Sequence, residues 1–249
     1  EKDEDGFFLM IEGGQIDWAG HNNDAATMLH EMLKFDEAVQ YVYEWVKKRN
    51  DTMVVITADH ETGSFGLSYS AANLPEAQKR NGSAFANRDY KPNFNFGAFE
   101  LMDKLYAQKA SFPTMMSELR ALPKDQQNGA SLARVINENS EFDVTEAQAE
   151  RILKTTKNPF YSASHKYMKA KVLPQIDDFS AFFVYGDEIH HNLMGRAMAE
   201  QQNVVWGTGT HTHTPVNVIA WGPKEATAPL SGLLHHAELG SYMKDLVSN

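Results

Sequence analysis

Two short apolar runs on either side of one long amphipathic helix place the strongest constraint on how this chain can fold. Residues 7–11 and 53–57 are continuously hydrophobic, as is typical of strands that are buried on both faces. Between them, over residues 24–49, apolar side chains recur at spacings of four and three, which predicts a helix with one apolar face. Asp24 is the expected N-cap. A strand–helix–strand unit of this kind indicates a parallel sheet with a right-handed crossover.

The character of the sequence changes over residues 69–203, which we interpret as an insertion. Short helices are expected at 96–108, 114–121, 131–138 and 187–201, and Thr145 with Gln148 forms a capping-box pattern that opens another. A strand pattern resumes at 216–221, and a last helix is expected at 236–247. The predicted fold class is therefore α/β, with a mostly parallel sheet flanked by helices and interrupted by a helical insertion.

Composition excludes several classes of function. The net charge of −10 argues against a nucleic-acid-binding surface, which requires a basic stripe, and no apolar run is long enough to span a membrane. The absence of cysteine removes disulfides, thiolate zinc sites and cysteine nucleophiles. The first residues lack the basic and apolar regions of a signal peptide, so we expect none in this chain.

Acidic and imidazole side chains are concentrated in three short segments. The segments contain Glu12, Asp17 and His21, then Asp59 and His60, then His211 and His213. At least two of these segments follow apolar, strand-like runs, where an unpaired charge is costly to bury. Divalent metal ions are the usual compensation, so the three segments together indicate a metal centre.

The spacing of these residues suits metal ligands. Asp17 and His21 are four apart, which places both on one side of a helical turn, and their donor atoms suit zinc. Glu12 offers only oxygen and better suits magnesium. Asp59 and His60 follow a predicted strand, at the end where parallel sheets form their sites.

Each group also has an ordinary structural explanation. Asp59 could cap a turn, and His60 could be a hydrogen-bonded, partly buried imidazole. Asp17 and His21 could form an exposed pair on a helix, Glu12 could pair with a basic neighbour, and the 210–213 segment could be a polar loop. The joint occurrence of all three segments favours the metal centre. Other histidines (His30, His165, His190, His191, His235 and His236) are not candidates.

Three stretches of this sequence resemble the metal-binding signatures of alkaline phosphatases. They are residues 6–21, 55–60 and 207–218. The Asp17–Trp18 pair, the Glu-Thr-Gly-Ser run at 61–64 and the long insertion resemble the marine, cold-adapted bacterial subgroup. The resemblance covers essentially the whole chain.

The resemblance implies a set of ligands. Asp17, His21 and His211 would bind one zinc ion, Asp59 and His60 a second zinc ion, and Glu12 a magnesium ion. His211 is preferred to His213 because it lies eleven residues before Gly222, the offset that the family keeps.

The resemblance also implies an activity and its setting. The expected reaction is hydrolysis of phosphate monoesters through a phosphoserine intermediate, in a periplasmic or secreted homodimer whose contact includes the insertion. The serine nucleophile belongs to an N-terminal half that has no counterpart here, so residues 1–249 are expected to be the C-terminal portion of one phosphatase domain, and no catalytic residue is assigned.

Two alternatives stay open at this point. One is another hydrolase of the same superfamily, such as a sulfatase, a phosphodiesterase or a phosphoglycerate mutase-like enzyme. The other is a non-catalytic fragment that binds metal or forms a dimer interface.

Overall fold

A computed structural model describes residues 6–84, 86–98, 100–176 and 186–248 of this chain. The charged first residues 1–5 lie outside this part. The helices are α1 Gln15–His21, α2 Ala25–Val46, α3 Glu100–Tyr106, α4 Phe112–Ala121, α5 Gly129–Asn139, α6 Glu146–Leu153, α7 Gly186–Met198, α8 Lys224–Thr227 and α9 His236–Ser248. The strands are β1 Val54–Ile56, β2 Glu61–Thr62, β3 Phe65–Leu67, β4 Gln78–Lys79, β5 Asp89–Tyr90, β6 Thr155–Lys157, β7 Val172–Pro174, β8 Val204–Trp206, β9 His211–Thr212 and β10 Ile219–Trp221.

The chain divides into two compact units. The first unit consists of residues 1–14, 31–61 and 212–249, and the second of residues 15–30 and 62–211. The principal hydrophobic core lies in the second unit, where α5 packs on α4 and α6, and α6 packs on α7. Phe112, Leu132, Ile136, Met194 and Met198 are fully buried there.

The helices of the predicted insertion form where the sequence indicates. The Thr145 hydroxyl accepts a hydrogen bond from the backbone N–H of Gln148, and the Gln148 side chain accepts one from the backbone N–H of Thr145. The predicted capping box is therefore confirmed. Ser111 and Asn128 cap α4 and α5 in the same way, so local side-chain chemistry begins three successive helices.

The long predicted helix is α2, and Asp24 is its N-cap. The Asp24 carboxylate accepts a hydrogen bond of 3.0 Å from the backbone N–H of Thr27. The helix ends at Val46, earlier than the predicted residue 49.

Strands β1 and β10 of the first unit confirm the strands that were predicted at 53–57 and 216–221. They pair antiparallel, with Val54 opposite Trp221 and Ile56 opposite Ile219. Gly222 then turns the chain with a φ of +148°, and a Cβ at that position would lie 2.9 Å from the Thr52 carbonyl oxygen. Glycine is required at this close approach of two backbones.

The predicted strand at residues 7–11 was wrong for this chain. These residues form no strand. Their exposed fractions run from 49% at Ile11 to 73% at Met10. A strand exists only through hydrogen bonds to a neighbouring strand, and within the described ranges none pairs with this run.

The predicted parallel sheet stays a prediction. The pairings of β1 with β10, β3 with β8, β4 with β5 and β6 with β7 are antiparallel. The coarser expectation of mixed helices and strands is confirmed. Among the described helices, none combines the length and the apolarity that crossing a bilayer would require.

Candidate metal centre

Helix α1 brings two of the predicted ligands together. Asp17 and His21 lie one turn apart, and the distance from Asp17 Oδ2 to His21 Nε2 is 3.5 Å. The helix ends at His21, and two residues later Asn23 has a left-handed φ of +53°, a conformation that asparagine tolerates better than most residues. The spacing of four, read from sequence as a helical turn, is therefore a helical turn in the structure.

Strand β9 adds the third side chain of this group. His211 Nε2 lies 3.0 Å from His21 Nε2 and 3.5 Å from Asp17 Oδ1. The His21 and Asp17 side chains are mostly buried, with exposed fractions of 18% and 34%, whereas that of His211 is 47% exposed. Two nitrogens and a carboxylate thus converge from segments that are far apart in the sequence.

The geometry of the three side chains fits a zinc ion. In a tetrahedral site with bonds of about 2.0–2.1 Å, neighbouring ligand atoms lie about 3.3 Å apart, and the distances above bracket this value. His21 Nδ1 lies 2.7 Å from the Gly209 carbonyl oxygen, which can only accept, so this nitrogen carries the proton. In this tautomer of the neutral imidazole, Nε2 has the lone pair that can bind a cation.

Thr62 orients the carboxylate of Asp17. Its hydroxyl donates a hydrogen bond of 2.5 Å to Asp17 Oδ1. Its methyl group packs on α1, where a Cβ at Gly20 would lie 3.0 Å from Thr62 Cγ2. Thr62 was not among the predicted site residues, although its position two residues after His60 was a usable signal.

Asn23 ties the end of α1 to the segment that leads to β9. Its side-chain amide donates to the Gly20 carbonyl at 3.0 Å and to the Thr208 carbonyl at 2.9 Å. It is fully buried. This residue was also missed, because nothing in the sequence near Asn23 indicates a partner at residue 208.

The Asp24 carboxyl group lies close to this region and is fully buried. Burial raises the pKa of the Asp24 carboxyl. Hydrogen bonds donated by Thr27, by the Phe112 backbone and by the Gln108 side chain oppose the rise. Asp24 therefore joins the start of α2 to the start of α4 within the second unit.

The other predicted ligands lie in the first unit. His60 Nε2 is 3.2 Å from Asp59 Oδ2, and the Asp59 side chain is 87% exposed. Glu12 is exposed, and its Oε1 atom is 3.0 Å from the place that a Cβ on Gly14 would occupy. His213 is exposed as well. The ligand roles of all six predicted residues, Glu12, Asp17, His21, Asp59, His60 and His211, stay predictions.

Comparison with curated proteins finds alkaline phosphatases. Over 66 residues the chain is 52% identical to "Alkaline phosphatase 3" of Bacillus subtilis, which is 26% of this chain and 14% of that relative. Over 64 residues it is 55% identical to "Repressible alkaline phosphatase" of Saccharomyces cerevisiae, which is 25% of this chain and 11% of that relative. The matched segments are therefore a small part of each relative.

Solved structures show the same fold. The alkaline phosphatase of Thermus thermophilus aligns with a TM-score of 0.59 at 24% identity, over 87% of this chain and 38% of its own. The cold-active alkaline phosphatase of a psychrophilic Shewanella species aligns with a TM-score of 0.58 at 23% identity, over 98% of this chain and 46% of its own. This chain thus spans less than half the length of either enzyme.

The comparison with protein families covers almost every residue. The family described as "Alkaline phosphatase" matches residues 1–248. Since one family accounts for nearly the whole sequence, the chain belongs to the alkaline phosphatase family.

Proposed function

We propose that this chain supplies the metal-binding portion of a phosphomonoesterase, with Asp17, His21 and His211 as the ligands of one zinc ion. The observation that carries the proposal is the convergence of His21 Nε2, His211 Nε2 and the Asp17 carboxylate within 3.0–3.5 Å. Zinc bound there supplies Lewis-acid stabilisation to oxygens that gain negative charge during phosphoryl transfer. The substrate class is phosphate monoesters, in keeping with the family.

Asp59 and His60 are proposed as ligands of a second zinc ion, and Glu12 as the ligand of a magnesium ion. The donor types support this division, because imidazole with carboxylate suits zinc and a carboxylate alone suits magnesium. The contact between Asp59 and His60 supports a shared role for these two neighbours.

The serine nucleophile is proposed to belong to an N-terminal half of the same enzyme, so that residues 1–249 form a C-terminal portion. The coverage of 38% and 46% of the two solved enzymes supports this arrangement. The exposed apolar run at residues 7–11 also supports it, since a strand-like run of this kind is stable only against a neighbouring strand. The N-terminal half would also supply the strands that complete the predicted parallel sheet.

A homodimer that forms through the insertion, in a periplasmic or secreted enzyme, completes the proposal. An exposed aromatic cluster supports the dimer: Tyr69, Phe94 and Phe96 have ring centroids 5.0–6.3 Å apart and exposed fractions of 57%, 42% and 61%. Aromatic residues are enriched at protein interfaces. Phe99, another aromatic residue of this segment, lies outside the described residues.

Zinc binding is the first test of the proposal. After a chelator has removed bound metal and zinc has been added back, the chain is expected to bind zinc stoichiometrically. The zinc content per chain is measured by elemental mass spectrometry. His211→Ala should lose one zinc ion per chain, and the matched control His213→Ala should lose none. Equal zinc contents in the two variants would contradict the assignment of His211.

Turnover of p-nitrophenyl phosphate is the second test. This chain alone is expected to bind zinc without turnover, and addition of the N-terminal portion should restore turnover. The alternative of a non-catalytic metal-binding fragment predicts zinc binding with no turnover in either case. Turnover by the chain alone would contradict the proposed location of the nucleophile.

A further inference from the structure

Helix α7 of the insertion contacts three consecutive residues, His21, Asn22 and Asn23. The Asn192 side-chain amide donates a hydrogen bond of 2.6 Å to the His21 carbonyl oxygen. His191 Nδ1 lies 2.7 Å from Asn22 Oδ1. A Cβ on Gly195 would lie only 2.3 Å from the Asn23 carbonyl oxygen, so the two backbones touch there.

Asn192 contacts the second imidazole-bearing segment as well. A Cβ on Gly209 would lie 2.5 Å from Asn192 Oδ1 and 3.0 Å from Asn192 Cγ. Gly209 is itself the residue whose carbonyl oxygen lies 2.7 Å from His21 Nδ1. Asn192 therefore packs between the backbone of His21 and the backbone of Gly209. Gly209 in turn contacts the imidazole of His21 and lies two residues before His211.

The hydrophobic core holds α7 from its other side. Met194 and Met198 are fully buried and belong to the principal core. Asn192 is also buried, with 6% of its surface exposed. Because core side chains are close-packed, the helix cannot shift without disturbing that packing. The position of Asn192 is consequently fixed by contacts that do not involve the metal centre.

From these contacts we infer that Asn192 is a positioning residue for the metal centre, acting through His21 and Gly209, and that α7 of the insertion is part of the support of that centre. The inference rests on the proposed zinc site of Asp17, His21 and His211. Residues that orient metal ligands typically change metal affinity about 10–100-fold when they are substituted. The insertion thus has a role in metal binding besides its proposed role in the dimer.

The test compares Asn192→Leu with Leu132→Ala in the full chain. Leucine has the same number of side-chain heavy atoms as asparagine and branches at the same carbon, but it has no donor for the His21 carbonyl oxygen. We expect Asn192→Leu to weaken zinc binding about 10-fold or more, measured by competition with a chromophoric chelator, and to change the visible absorption of the cobalt(II)-substituted protein. Leu132→Ala should lower the melting temperature while leaving the zinc affinity and the cobalt spectrum unchanged, because Leu132 is a fully buried core residue of α5 and not of α7.

A second variant keeps the test decisive if the first variant does not fold. If circular dichroism shows that Asn192→Leu is unfolded, Asn192→Ala removes the same donor without adding apolar bulk and should give the same two changes. A folded Asn192 variant with unaltered zinc affinity and an unaltered cobalt spectrum would overturn the inference and leave the proposed function intact. Absence of zinc binding in the unsubstituted chain would instead overturn the proposed function.

Discussion

At the scale of single residues, the hydroxyl of Thr62 governs the orientation of the Asp17 carboxylate, because it donates a hydrogen bond of 2.5 Å to Asp17 Oδ1. Thr62→Val keeps the shape of the side chain and removes the donor. We expect the zinc affinity to fall about 10-fold, measured by isothermal titration calorimetry. The matched control is Thr156→Val in β6, where the side chain is exposed and its segment is not among the metal-centre residues.

Equal zinc affinities of the Thr62→Val and Thr156→Val variants would contradict the orienting role of Thr62. A loss of affinity in both would point to a general effect of threonine replacement in this unit.

The ionisation of Asp24 is coupled to folding in a predictable direction. Burial raises the pKa of Asp24 in the folded chain above its ordinary value of 3.8. The folded state therefore binds the proton more tightly than the unfolded state does. The resulting stabilisation is fully present below pH 3.8 and is lost as the pH rises through the folded-state pKa.

Asp24→Asn removes this titration. Relative to that variant, the free energy of unfolding of the unsubstituted chain should decrease as the pH rises from about 4, with a slope of at most about 1.4 kcal/mol per pH unit. Urea unfolding of both proteins across this range measures the difference. A difference that grows with pH would show that the donated hydrogen bonds outweigh burial.

At the scale of elements, two glycines within helices have opposite surroundings. Gly195 of α7 faces the Asn23 carbonyl oxygen, 2.3 Å from where a Cβ would be, whereas a Cβ on Gly240 of α9 would have no atom within 4 Å. We expect Gly195→Ala to destabilise the fold by about 1–3 kcal/mol or more through overpacking. Gly240→Ala should stabilise it by about 0.5–1 kcal/mol, because alanine favours the helix.

Thermal unfolding measures both substitutions. If Gly195→Ala were as stable as Gly240→Ala, the close approach of α7 to Asn23 would not exist in solution, and the inference about Asn192 would lose its supporting contact.

Elements whose formation depends on local sequence were predictable from the sequence. The capping box of Thr145 and Gln148 and the Asp24 cap of α2 lie where the sequence places them, because a capping side chain is only a few residues from the N–H group that it satisfies. Residues 7–11 failed as a strand for the opposite reason. Hydrophobicity indicates that a segment should be covered, but a strand also needs a partner elsewhere in the polypeptide.

The candidate site was predictable for the residues that provide donor atoms and not for those that support them. Asp17 and His21 are linked by helical spacing, and carboxylate and imidazole groups are recognisable by type. Thr62, Asn192 and Gly209 support the site through contacts across long sequence separations. Their residue types are common in any protein, so the sequence carries no signal for Asn192 or Gly209, and for Thr62 only its position close to His60.

At the scale of the whole molecule, the apolar run at residues 7–11 forms a contiguous exposed apolar surface. Phe8 and Met10 are 63% and 73% exposed, and contiguous exposed apolar residues favour association. We expect the double variant Phe8→Lys, Met10→Glu to reduce self-association in analytical ultracentrifugation and to change the free energy of unfolding by no more than about 0.5 kcal/mol. It should also weaken restoration of turnover by the N-terminal portion.

Leu233→Lys is the control, since Leu233 is 90% exposed but lies outside the apolar run. If this variant reduced self-association as strongly as the double variant, the association would come from general hydrophobicity and not from residues 7–11.

The distance of 3.0 Å between His21 and His211 joins residues that are 190 positions apart in the chain. Contacts of such high order form only after the intervening polypeptide has been ordered, because closing so long a loop is entropically costly. A ribosome-bound nascent chain cannot offer both imidazoles until residue 211 has emerged. At the proposed zinc site, capture of the ion would therefore wait until residue 211 has left the ribosome and the two imidazoles have been brought together.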